Sequence, residues 1–182
     1  MIIFETERLV VRAYTENDQE NFYLLNGNRR VMRWIRPVKT MRESNEFLVE
    51  TLARTEADPA MGRWAVEEKN PGKFVGSFAI IPVENTDRIQ LGYALLPQYW
   101  GKGYATELTR NGLHYVFAKM NLNVIYALTE TPNISSQKVL IKTGFTEDGI
   151  IMEGKKDLVQ FSMSREKFLT IANIQNFGVR PV

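Results

Sequence analysis

Gln98-Tyr99-Trp100-Gly101-Lys102-Gly103-Tyr104-Ala105-Thr106 joins two patterns of opposite kind. Before it, Arg88 to Leu96 reads as a strand, and Pro97 stops it because proline cannot donate to a ladder. After it, Ala105, Leu108, Gly112, Tyr115, Val116 and Met120 lie near one stripe of a helix running from Gly103 to Met120. A strand, a glycine turn and an immediate helix leave the first helical amides unpaired. Those amides carry partial positive charge. Gly101 and Gly103 lack the Cβ that would keep an anion off the backbone. The chemistry is that of an anion site, and a diphosphate suits it best.

Two other phosphate loops fit poorly. A Walker loop needs Gly-Lys-Ser/Thr after four intervening residues, and none follows Gly101. A dinucleotide fingerprint needs a third glycine, where Thr106 stands, and a run of strand–helix–strand units; Glu130 alone sits near its expected acid. An isolated glycine pair would simply make a tight turn, so the surroundings decide.

Upstream, Arg8 to Ala13 reads as an edge strand. Thr15 with Asp18, and Thr40 with Glu43, have the spacing of capping boxes and open two helices. Gly27-Asn28 ends the first, and Asp58-Pro59 the second. Arg63–Glu67 and Phe74–Ile81 form a hairpin about Asn70-Pro71-Gly72. Downstream come a strand at Val124–Thr129, a helix from Asn133 to Thr143 closed by Gly144, strands at Phe145–Glu153 and Leu158–Met163, and a terminal helix. Consecutive strands favour antiparallel pairing, while the unit from Leu91 to Thr129 favours one parallel pair. The expectation is an α/β (α+β) chain: a mixed, mostly antiparallel sheet of about seven strands, helices on both faces, and one domain spanning 1–182.

Composition narrows the chemistry. The chain has no cysteine and one histidine, His114, so thiolate sites, a cysteine nucleophile and a His-rich zinc site are excluded. No metal is expected. A formal net charge of +2 gives no argument for nucleic acid. No stretch approaches the roughly 18 apolar residues of a membrane span. The first residues lack a basic-then-apolar pattern, so a cytoplasmic location is expected.

Gln-x-x-Gly-x-Gly after Leu91-Gly92-Tyr93-Ala94-Leu95-Leu96, with Ala105-Thr106-Glu107 behind it, resembles the coenzyme A motif of the GCN5-related N-acetyltransferase (GNAT) superfamily. The chain is most similar to its ribosomal-protein N-terminal acetyltransferase-like branch. Thr6-Glu7-Arg8-Leu9 looks like that branch's opening strand, and Asn133-Ile134-Ser135-Ser136 with Gly144-Phe145 like its Asn-x-x-Ser helix. The resemblance covers about residues 5–163.

It implies a fold whose strands four and five splay to admit acetyl-coenzyme A. The pyrophosphate would lie on Gln98, Gly101, Lys102, Gly103, Tyr104, Ala105 and Thr106. The pantetheine arm would lie along Tyr93, Ala94, Leu95 and Leu96, helped by Asn133. A backbone N–H near Ala94 or Leu95 would hold the oxyanion. Ser136 would protonate the departing thiolate. Trp34 and Gln90 would contact a primary amine, either a protein N-terminus or a small molecule. An α-amine, with a pKa of about 8, deprotonates far more readily than a lysine at about 10.4.

Relatives often carry glutamate where Gln90 stands, so Glu67, or its neighbour Glu68, is the candidate base. The partners implied are acetyl-coenzyme A and the amine, with the protein a monomer or homodimer. Two other readings remain: a non-catalytic acyl-coenzyme A binder, which Gln90 favours, and a nucleotide-dependent oxidoreductase.

Overall fold

The computed structural model describes residues 1–154 and 156–177; the end of the expected domain, 178–182, lies outside them. The chain folds as β1 (Ile2–Glu5), β2 (Leu9–Ala13), α1 (Gln19–Asn26), α2 (Arg29–Met32) and α3 (Met41–Ala57). Then come β3 (Gly62–Glu68), β4 (Phe74–Pro82), β5 (Ile89–Leu95), α4 (Tyr104–Lys119) and β6 (Val124–Glu130). α5 (Ile134–Lys142), β7 (Thr146–Glu153), β8 (Lys156–Ser164) and α6 (Arg165–Phe177) complete it. One eight-stranded sheet runs in the order β1-β2-β3-β4-β5-β6-β8-β7. Every pairing is antiparallel except β5 with β6.

The eighth strand is β1. Thr6-Glu7-Arg8 is therefore a turn between β1 and β2, not the opening strand: Thr6 N–H donates to Leu9 O at 2.9 Å, and Leu9 N–H to Thr6 Oγ1 at 2.8 Å. The splayed pair expected as strands four and five is β5 and β6. Both capping boxes form. Thr15 N–H meets Asp18 Oδ2 at 2.8 Å, and Thr40 N–H meets Glu43 Oε2 at 2.7 Å. Asp18 is buried, and the shorter acid still reaches the cap backbone.

Strand alternation divides the sheet into two faces. On one, Trp64 and Phe78 pair across β3 and β4, with rings 6.4 Å apart and Tyr115 of α4 edge-on to Trp64 at 5.8 Å. α4 lies so close that an added Cβ on Gly112 would stand 2.3 Å from Phe78 Cζ. On the other face, Phe22 of α1 packs on Tyr14 and on Phe47 of α3, with ring centroids 4.9 and 5.4 Å apart. Small residues in register, Ala79 with Gly92 and Ser77 with Ala94, leave that face open beneath α1–α3.

Candidate active site

β5 and β6 pair only at Gln90 with Tyr126, and beyond that point the strands part. Leu96 N–H donates to Val75 O at 2.9 Å, toward β4. Alternation therefore turns the Leu95 peptide groups the other way, into the gap. The Leu95 carbonyl is capped there by the Trp100 indole N–H at 2.7 Å, which leaves the Leu95 N–H facing the open slot. The Ala94 carbonyl faces β4 instead, where a Cβ on Gly76 would meet it at 2.1 Å. A donor at the gap is thus Leu95, not Ala94.

The slot ends at the entrance of α4. Gly101 and Gly103 have φ of +74° and +83°, the left-handed region that glycine enters without penalty. The first helical bond of α4 runs from Glu107 N–H to Gly103 O at 3.0 Å. The amides of Tyr104, Ala105 and Thr106 therefore point out of the helix end.

A polar brace fixes this turn. Glu107 accepts from the Thr6 hydroxyl and from Arg8 N–H at 2.8 Å, and the Arg8 guanidinium reaches it at 2.7 Å. Arg8 Nη1 also holds the Lys102 carbonyl at 3.0 Å, and its guanidinium lies 4.5 Å above the Tyr104 ring. Burial pushes the Glu107 carboxyl up, but the Thr6 and Arg8 donors outweigh it and hold the group below the usual carboxylate range.

A cavity of about 1150 Å³ connects the glycine turn, the splay and the open face beneath α1–α3. The structure brings Tyr93, Ala94, Leu95, Gly101, Gly103, Tyr104, Ala105, Thr106 and Asn133 to its wall. Ser136, Trp34 and Gln90 line it too. Leu96, Gln98 and Lys102 do not: Leu96 is buried in the core, Gln98 sits in the turn Pro97–Tyr99, and Lys102 rides over the Tyr99 ring at 5.0 Å. Asn133 accepts from Ser136 N–H at 3.3 Å as the cap of α5.

The structure places Glu67 apart from these residues. It lies outside the cavity wall, and its carboxylate is ion-paired with Arg12, which also binds Asp18 at 2.8 Å. That ion pair occupies the carboxylate and turns it toward β2. Glu68 accepts the Tyr104 hydroxyl at 2.6 Å and so belongs to the glycine turn.

The motif points to Tyr93 for its backbone, and the structure adds its phenol. The Tyr93 hydroxyl lies 3.2 Å from Ser136 Oγ. Burial raises the phenol's pKa, against the opposing pull of the Ser136 hydrogen bond, so it keeps its proton. A phenol next to the Asn-x-x-Ser serine could have been sought, but nothing in spacing links positions 43 residues apart. Arg36 and Arg63 also line the cavity and were not singled out. Among the described residues, no group of three or more His, Cys, Asp or Glu could hold a metal, and no helix is long and apolar enough to cross a membrane.

A split sheet leading to naked helix amides, with polar groups at the split, suits a long ligand that ends in phosphate. The model described as "Acetyltransferase (GNAT) domain" matches residues 8–146, and the chain belongs to that acetyltransferase family. The uncharacterized N-acetyltransferase YoaA of Bacillus subtilis is 26% identical over 154 residues, covering 83% of this chain and 86% of that protein.

A spermidine N-acetyltransferase of Vibrio cholerae, solved with CoA and spermine, superposes with a TM-score of 0.73 at 25% identity, covering 88% of this chain and 98% of the other. A ribosomal-protein-S5-alanine acetyltransferase of Vibrio fischeri shares the fold, with a TM-score of 0.74 at 21% identity, covering 92% of this chain and 98% of the other.

Proposed function

We propose that the chain transfers an acetyl group from acetyl-coenzyme A directly to a primary amine within a ternary complex. The observation that carries this reading is the β5–β6 gap running into the α4 entrance, a slot shaped for an extended arm ending in a diphosphate. The diphosphate lies on the amides of Tyr104, Ala105 and Thr106, admitted by Gly101 and Gly103. The pantetheine arm lies along β5. The Leu95 N–H supports the thioester oxygen as it becomes an oxyanion.

The amine nitrogen attacks the carbonyl carbon, and the tetrahedral adduct collapses with cleavage of the C–S bond. The thiolate takes a proton from the Tyr93–Ser136 hydroxyl pair, with Tyr93 the better donor because a phenol is far more acidic than an aliphatic hydroxyl. The ammonium product of attack loses its proton to water. Gln90 cannot accept it, and Glu67 is held by Arg12.

The test is calorimetry with coenzyme A, followed by a free-thiol assay with a panel of amines. The expected result is binding by the wild type, loss of that binding in Gly103→Val with helix content retained, and turnover on at least one amine. Binding with no turnover on any amine would favour a non-catalytic acyl-coenzyme A binder. No binding would remove the reading altogether.

A further inference from the structure

One end of the cavity is lined by two arginines, Arg36 and Arg63, that no carboxylate pairs among the described residues. From Asn21 to Arg42 the chain carries Arg29, Arg30, Arg33, Arg36, Lys39 and Arg42, and no Asp or Glu. Arg36 and Arg63 line the cavity, and among the described residues neither is ion-paired. The Arg36 Nε is buried and has no hydrogen-bond partner among them.

Three cations converge on the ring of Phe47: Arg36 at 4.8 Å, Lys39 at 5.2 Å and Arg63 at 5.7 Å from its centroid. An aromatic face offsets part of this charge. It cannot satisfy the guanidinium donors, and a buried donor left unmatched is costly. Burial, and after it the nearby charge of Arg36, push Arg63 down to about 10.

Arg63 stands in register with Ala79 and Gly92 across β4 and β5. It is thus two strands, about 10 Å across the sheet, from β5 at Gly92, three residues before the Leu95 N–H. Ala79 and Gly92 leave the floor between them clear. The cavity's carboxylates lie elsewhere. Glu84 follows β4, Glu153 ends β7, and Glu130 is paired with Lys156.

We infer that Arg36 and Arg63, stacked about Phe47, form a carboxylate subsite, so that the acceptor is a small amine bearing a carboxylate and not a polyamine. The inference rests on the acetyl-transfer reading above. An extended peptide advances about 3.5 Å per residue, so the acceptor's amine and carboxylate are separated by at most about three residues. Paired guanidiniums present the planar forks that match a carboxylate. A polyamine would bring like charge to like charge. The excess positive charge also favours the neutral form of the bound amine, which serves a site without a carboxylate base.

The experiment measures kcat/KM of the intact protein for Ala-Ala, Ala-Ala amide, Ala-Asp amide and spermidine. Ala-Ala is expected to exceed its amide and spermidine by about ten-fold or more, the range of one charge-assisted hydrogen bond. In Arg63→Met and Arg36→Met the ratio of Ala-Ala to its amide falls toward one, with coenzyme A binding by calorimetry reporting that the fold is intact. Ala-Asp amide matching Ala-Ala would place the carboxylate on a side chain and support the same subsite. Spermidine equal to or better than Ala-Ala would overturn the subsite while leaving acetyl transfer intact, and so would an unchanged ratio in both variants.

Discussion

At the scale of single residues, the proposed transfer would set two hydroxyls against one leaving group. Tyr93 comes from β5 and Ser136 from the first turn of α5, and their oxygens lie 3.2 Å apart. The phenol's raised pKa keeps it protonated through the pH range in which an α-amine loses its proton, so the acid form and the nucleophile coexist. General acids of this kind contribute about 10²–10⁴-fold. Tyr93→Phe removes the donor without changing the ring's packing, and kcat is expected to fall about 10²-fold with the dissociation constant for coenzyme A nearly unchanged. Ser136→Ala leaves the phenol in place and should cost only about ten-fold. A steady-state comparison checks both, and a larger loss in the serine variant would make Ser136 the donor.

At the scale of elements, α4 does two jobs, and its face toward the sheet has no slack. Gly112 stands against Phe78, which is fully buried. Alanine there gains about 1 kcal/mol of helix propensity. Overpacking costs about 1–3 kcal/mol, and a Cβ at 2.3 Å lies at the severe end. The loss is expected to win: Gly112→Ala lowers the melting temperature by several degrees and weakens coenzyme A binding, because the helix that moves is the one presenting its amides. Differential scanning calorimetry would register a higher transition if the helix gain won instead.

The same helix shows what a sequence can and cannot disclose. Its entrance was legible because a strand, Pro97, two glycines and an amphipathic run follow one another locally. The parallel β5–β6 pair followed from the single crossover between them. β1 was not legible: Ile2-Ile3-Phe4 is too short to show alternation, and it is a strand only because β2 lies beside it. The fate of Glu67 was equally hidden, since its partner Arg12 is 55 residues away. Arg36 and Arg63 look in sequence like ordinary surface arginines, and only burial without an acid distinguishes them.

At the scale of the whole molecule, the first two strands are tied to helices on opposite faces of the sheet. Arg8, beside β2, holds Glu107 of α4 on one face. On the other, Arg12 of β2 holds Asp18 at the start of α1 and Glu67 of β3. Burial pushes the Asp18 carboxyl up, but the bonds from Arg12 and from Thr15 N–H outweigh it, and its pKa lies below the ordinary value. A folded pKa below the unfolded one contributes stability that is complete above the unfolded value, near pH 4, and is lost as pH falls through the folded value.

Asp18→Asn should therefore cost roughly 2–3 kcal/mol at neutral pH, since it leaves Arg12 with one carboxylate fewer in a largely buried setting. For a chain of this length that is about 5–10 °C in melting temperature. Below pH 4 the wild type sheds the same contribution by protonation, so the two melting curves should converge. A gap that stays constant from pH 7 to pH 3 would mean that the Asp18 carboxylate does not titrate as part of this tie, and that some other contact joins α1 to the sheet.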